Sequence, residues 1–225
     1  MEPYRVDVTD RAAVFAAFEA AGPVDVVVNN AGTMSLGMVE EYDEASAREA
    51  LETNFFGALW VAQAAAGRLR TQGAGHLIHI SSIGGVGGHP STGLYSASKF
   101  ALEGMAEALA AELASFGVRS TIVQPGGYWT ELYTRLTLTE PLEAYADLRA
   151  ELEKSWGEIS IDSDPALAAD ALLKLVDADD PPLRLLLGDA IFDAAIGLME
   201  QRIETWKRWE AVSRAAEHAI DQSAL

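Results

Sequence analysis

The stretch VDVVVNNAG, Val24–Gly32, decides the fold. Its first six residues are apolar and β-branched with one acid, the composition of a strand buried on both faces of a parallel sheet. It breaks at Asn29-Asn30-Ala31-Gly32, a strand-end turn. Working outward, short apolar runs alternate with longer helical patterns. Upstream, Tyr4–Val8 reads as a strand, and Asp10 caps a helix over Arg11–Ala21 that ends at Gly22-Pro23. Downstream, a long helix is expected over Ser46–Arg70, a strand over His76–Ser81 and a helix over Ser96–Phe116. Arg119–Gln124 is a strand that stops at Pro125-Gly126. Thr137–Pro141 is a loop before a helical lid over Leu142–Trp156. A helix over Ala166–Val176, a last strand at Leu183–Leu187 and a final helix over Ala190–Ala219 complete the chain. Strand–helix alternation of this length means an α/β fold, a Rossmann-like, doubly wound parallel sheet, and residues 1–225 read as a single domain.

In such sheets ligands bind outside the carboxyl ends of the strands. Three strand ends converge there: Asn29–Gly32, Ser81-Ser82 and Pro125-Gly126-Gly127. Beyond the second lies HISSIGGVGGHPSTGLYSASKFALEG, residues 79–104, in which Tyr95 and Lys99 stand four apart with Ser82 thirteen upstream. A Tyr and a Lys at that spacing share a helix face. A fixed ammonium favours the phenolate of its neighbour. A phenol so tuned can exchange a proton with a substrate oxygen, and Ser82 can hydrogen-bond the same oxygen. Ser81 reads as structural, since only Ser82 has the spacing.

Composition narrows the partners. Lys and Arg number 16 against 34 Asp and Glu, a net charge of −18, which argues against nucleic acid and anionic membranes. There is no cysteine, so disulfides and thiolate metal sites are excluded, and a reducing compartment is compatible. The N-terminus carries no secretory signal and no run is long enough for a membrane span. His76, His79, His89 and His218 show no metal-ligand spacing, so no metal is expected. In the last helix, Phe192, Ile196, Met199, Ile203 and Trp206 form an amphipathic stripe. It either packs on its own sheet, makes an oligomer contact or walls a substrate pocket. Tyr128, Trp129, Tyr133 and Leu136 suggest an apolar lid suited to a hydrophobic ketone or alcohol.

The chain resembles the short-chain dehydrogenase/reductase family, classical type, from Asp7–Asp10 to Leu183–Gly188. The resemblance rests on NNAG (Asn29–Gly32), Asn54 in NFFG, Ser82 in ISS, YSASK (Tyr95–Lys99) and PGGYWT (Pro125–Thr130), in family order. It implies an NAD(P)-dependent oxidoreductase that interconverts a carbonyl and a secondary alcohol, with NADP preferred to NAD. By the same resemblance Tyr95 is the general acid/base, and Lys99 lowers its pKa and bonds the nicotinamide ribose. Ser82 polarises the substrate carbonyl, and Asn54 holds a water that relays protons to Lys99. Asn29, Ala31 and Gly32 line the cofactor path together with Pro125 and Gly126. Thr130 reaches the carboxamide, and Asp7 with Val8 touches the adenine. A cytoplasmic homo-oligomer is the family expectation.

One departure stands out. The family opens on a strand, a glycine-rich turn, a helix and a second strand, and residues 1–28 hold one glycine, Gly22, at a helix end. Residues 1–225 thus read as a domain lacking its first βαβ unit, either a truncated start or an inactive binding protein. With that unit absent, Tyr4–Val8 and Val24–Val28 are expected to pair directly through a right-handed crossover.

Overall fold

The computed structural model describes residues 3–159 and 163–217, with the side chains of residues 157–159 left aside; His218 and Ala219 lie outside the described residues. Four parallel strands form the main sheet in the order β1-β3-β4-β6: β1 (Val26–Asn29), β3 (Gly75–Ile80), β4 (Val118–Pro125) and β6 (Arg184–Leu187). The register sets Val27 beside Leu77, Leu77 beside Ser120 and Val123 beside Leu185. Alternate residues of β3 therefore serve opposite faces. Leu77 packs with Ala62, Ala65 and Leu69 of α3 (Ala58–Gln72) and Leu113 of α4 (Gly93–Ala114). Ile78 packs with Val123, Leu187 and Leu175 of α7 (Pro165–Val176). Both faces are covered, as a parallel sheet requires. Among the described residues no helix is long and apolar enough to cross a membrane.

The helix α1 (Arg11–Ala21) forms as expected. Asp10 caps it by accepting from the Ala13 amide, and Gly22 at φ 71° ends it in a conformation that favours glycine. The strand expected at Tyr4–Val8 does not form; that segment runs irregularly into a turn at Val8-Thr9. Val8 turns instead onto Gly57 of the helical segment that follows. The direct crossover pair is therefore also overturned: among the described residues β1 bonds β3 alone, is the edge of the sheet, and leaves Val28 46% exposed.

The long helix anticipated over Ser46–Arg70 runs from Glu44 to Gln72 but is not uniform. Between α2 (Glu44–Leu51) and α3, Glu52–Gly57 winds as a π-helix. Such widened turns gather at functional sites, and this one carries Asn54. At its end Gly57 lies against Val8, where a Cβ would come within 2.7 Å of Val8 Cγ2.

Past β4 comes α5 (Glu131–Thr134), and the expected loop at Thr137–Pro141 opens as a strand, β5 (Thr137–Leu138), parallel to β2 (Ser35–Leu36). This pair hangs the helix α6 (Ala146–Ile159) from the segment that follows β1. Glu41 fastens it. Its carboxylate accepts from Thr139 Oγ1 at 2.7 Å, the Leu142 amide at 2.9 Å and Arg149 at 2.6 Å. The final helix divides into α8 (Asp189–Arg208) and α9 (Glu210–Ala215). Its inward face is one residue out of step with the expected stripe. Ala195 is buried, and Ile191 and Leu198 abut Gly126 and Gly87, whereas Phe192, Ile196, Ile203 and Trp206 are exposed. They do not pack on the sheet.

Candidate active site

Four side chains meet at the carboxyl ends of β1 and β3. Tyr95 and Lys99 lie on one face of α4, both buried, with Lys99 Nζ 5.7 Å from the centre of the Tyr95 ring. Lys99 donates to the Ile80 carbonyl at 3.0 Å, which anchors it to the last residue of β3. Ser82, two residues on, accepts from the Gly84 amide at 3.1 Å, so its own proton is free to be donated. That hydroxyl faces the Tyr95 phenol and favours its ionised form. The approach depends on Gly84, where a Cβ would stand 3.2 Å from Tyr95 Cε1.

Asn54 completes the group from the π turn. Its amide donates to the Thr33 carbonyl at 2.9 Å and to Ser98 Oγ at 3.0 Å, while Oδ1 accepts from the Thr33 amide at 2.7 Å. Ser98 in turn donates to the Tyr95 carbonyl at 2.7 Å. The carboxamide thus bolts the loop after β1 to the helix of Tyr95 and Lys99.

The electrostatics differ from the sequence expectation in one respect. Burial pushes the Tyr95 phenol up, and only the Ser82 hydrogen bond opposes it. Burial also pulls Lys99 down, to about 8, against the attraction of Glu103. The desolvation of the phenol thus outweighs the stabilisation that Ser82 gives the phenolate.

The residues assigned to the cofactor path divide. Ala31 and Gly32 lie exposed on the crevice rim. A Cβ on Gly32 would fall 3.3 Å from Asn54 Oδ1 and 3.7 Å from Lys99 Nζ, so the missing side chain leaves a gap bounded by a lysine and an amide oxygen. Asn29 does not line it: its side chain turns inward, donating to the Ala58 carbonyl at 2.8 Å and contacting His79 Nδ1 at 3.4 Å. Pro125 and Gly126 end β4 beside Leu187, and Thr130 caps α5. Asp7 is exposed and its carboxylate is occupied by Thr9, which holds it below the usual range; Val8 packs on Gly57. Neither Asp7 nor Val8 sits on a strand. His79 and His76 are buried, and no group of three metal-ligating side chains occurs among the described residues.

Sequence reasoning passed over Ser98, Thr33 and Glu103. Glu103 had a signal, since it follows Lys99 by the same four residues that separate Lys99 from Tyr95.

The short chain dehydrogenase family matches residues 1–141. An oxidoreductase of Botryotinia fuckeliana, BOA17, is 36% identical over 224 residues, covering 95% of this chain and 81% of its own. A 3-ketodihydrosphingosine reductase of Bacteroides thetaiotaomicron is 38% identical over 199 residues, covering 83% and 72%. Among solved structures, a short-chain dehydrogenase from Streptomyces avermitilis superposes with a TM-score of 0.89 at 34% identity, covering 96% of this chain and 81% of that one. Another, from Burkholderia cenocepacia in complex with NADP, has a TM-score of 0.72 at 28% identity, covering 92% and 77%.

Proposed function

This chain belongs to the short-chain dehydrogenase family, and from that premise we propose that it is an NAD(P)-dependent oxidoreductase acting on a carbonyl or secondary alcohol at Tyr95. The observation that carries the reading is the meeting of the Ser82 hydroxyl, the Tyr95 phenol and Lys99 Nζ beside the gap left by Gly32. A bound nicotinamide supplies or accepts the hydride. Ser82 donates to the substrate oxygen and orients its carbon toward the Gly32 side. Tyr95 delivers its proton to that oxygen as negative charge grows there. Its raised pKa keeps it protonated at neutral pH, the state a general acid needs. Lys99 in its ammonium form stabilises the phenolate left behind, and Asn54 holds the loop and α4 in register. Ala31, Gly32, Pro125, Gly126 and Thr130 border the cofactor.

NADP is favoured over NAD by the subgroup resemblance and by the NADP complex of the Burkholderia cenocepacia relative. The stacked pair Trp129 and Tyr133, with centroids 5.8 Å apart, supports a hydrophobic substrate. The reading extends to a single-domain, cytoplasmic homo-oligomer, in line with the cysteine-free composition and with the family.

The test is a titration of the purified chain with NADPH and NADH, followed by nicotinamide fluorescence, and a carbonyl screen with Tyr95→Phe as control. Saturable binding is expected, with turnover in Tyr95→Phe reduced by about 10²–10⁴-fold. Folded chain that binds neither nucleotide would overturn the cofactor reading. Full turnover in Tyr95→Phe would remove Tyr95 from the role.

A further inference from the structure

We propose that Glu103 is a positioning residue of this crevice: it stands one helical turn beyond Lys99, sets the electrostatic surroundings of that lysine, and ties the ends of β3 and β4 to the helix that carries Tyr95. The proposal rests on the reading of Tyr95, Lys99 and Ser82 just given.

A carboxylate only 6% exposed needs compensation. Glu103 has three partners, each from a different strand or strand end. Ser81 Oγ donates to it at 2.6 Å from the turn after β3, next to Ser82. Gln124 Nε2 donates to both of its oxygens, at 3.0 and 2.9 Å, from β4 just before Pro125-Gly126. Arg184 Nε approaches at 3.4 Å from β6. The turn over Ile83–Gly85 closes on the same group, for a Cβ on Gly85 would overlap the Glu103 carboxylate and Ser81 Oγ. One side chain thus fixes where Ser82 and the PGG turn leave the sheet relative to α4.

Arg184 offsets only part of its charge. That guanidinium bonds Glu107 more closely, at 2.7 Å, and is 37% exposed. One helical turn back stands Lys99, buried and attracted by Glu103. The groups facing Lys99 are Tyr95 and Glu103 on its own helix, the neutral Asn54 from the π turn, the Ile80 carbonyl from β3 and the Gly32 backbone. Glu103 supplies the only negative charge in that set, against a desolvation that favours the neutral amine. Because Ser82 and Tyr95 are paired with each other and not with Glu103, the carboxylate works through Lys99 and Ser81.

The experiment is a ¹³Cε-lysine NMR titration of the cofactor-free chain, which contains four lysines, Lys99, Lys154, Lys174 and Lys207; Lys99→Arg assigns the signal. The native midpoint is expected at about 8. In Glu103→Gln it falls by roughly one unit, and Glu103→Asp brings it back toward the native value, which a merely structural role would not do. The alkaline limb of the pH–kcat profile for carbonyl reduction moves down by the same interval, with KM little changed. An unmoved Lys99 midpoint in folded Glu103→Gln overturns the proposal. If that variant fails to fold, Arg184→Met decides the matter: removing the guanidinium strengthens the carboxylate's field and raises the midpoint, and no movement overturns the proposal. Turnover surviving Tyr95→Phe would sink the catalytic reading alone, because the NMR midpoint is read without substrate or cofactor.

Discussion

Asn54 Nδ2 meets Ser98 Oγ at 3.0 Å, joining the π-helical turn to the helix of Tyr95 and Lys99 through a buried hydrogen bond. Ser98 passes the link to the Tyr95 carbonyl, and Asn54 also clasps both backbone groups of Thr33. Truncating Asn54 to Ala leaves a buried hydroxyl and two backbone groups short of a partner, each worth about 1–3 kcal/mol when unsatisfied. Asn54→Ala should therefore lower the urea midpoint clearly and abolish turnover together. Asn54→Ala with a native midpoint would show that the bridge is dispensable to the fold.

Gly85 and Gly88 offer a paired test. A Cβ at Gly85 overlaps Glu103 and Ser81, whereas nothing lies within 4 Å of one at Gly88. Gly85→Ala should destabilise by about 1–3 kcal/mol and depress kcat as the Ser82 turn shifts. Gly88→Ala should stay within about 0.5 kcal/mol of the parent. Equal thermal midpoints for the two variants would count against the packing around Glu103.

Acid should weaken the fold through His76 and His79. Both are buried in β3 and burial holds each at about 4, with Arg119 adding to the effect at His76. In the unfolded chain an imidazole takes its proton near 6.5. Between those two values only the unfolded chain gains protons, so stability is lost as pH falls through that window and this loss is complete below about 4. Urea midpoints measured from pH 7 to 4 should decline, and His79→Gln should decline less steeply. Parallel slopes would exonerate the histidine.

Glu41 governs the lid. Arg149, and then the Leu142 amide and Thr139, hold its carboxyl down to about 2 against desolvation. The latch therefore stays charged until pH falls well below the ordinary carboxylate range. In Glu41→Gln the guanidinium of Arg149 loses its anion, and the segment from Thr137 to α6 loses its tether. Limited proteolysis should cut that segment faster, and KM should rise more than kcat falls. Unchanged amide exchange at Thr139 and Leu142 would refute the latch.

Tyr95, Lys99 and Ser82 were legible because helix period and strand-end position are local properties, and the alternation of elements made the sheet legible too. The π turn was not. Thr53, Asn54 and Gly57 are weak helix formers but carry no signal for a wider turn; the widening accompanies tertiary partners, Thr33 and Ser98 on Asn54 and Val8 on Gly57. The run of valines in β1 has the character of a central strand, yet only neighbours decide whether a strand lies inside or at an edge. Tyr4–Val8 alternated like a strand, yet Val8 is drawn onto Gly57 rather than to the open edge of β1. The inward face of α8 was misplaced by one residue, since Ile191 and Leu198 are no more apolar than the Phe192 and Ile196 they displace. Glu103 has the spacing of a site residue, but a glutamate on a helix ordinarily points to water. Only the presence of Ser81 and Gln124 opposite it makes burial tolerable.

The π turn also constrains how this chain can change its length. In a regular helix each residue advances the azimuth by roughly 100°, and the widened turn at Glu52–Gly57 absorbs one such step between α2 and α3. Deleting a single residue there would relax the backbone to ordinary winding, yet swing Asn54 off Ser98 or turn the whole of α3 on the sheet. Insertions and deletions are thus barred from this stretch, and the count of residues between Asp43 and Gly73 is itself part of the site.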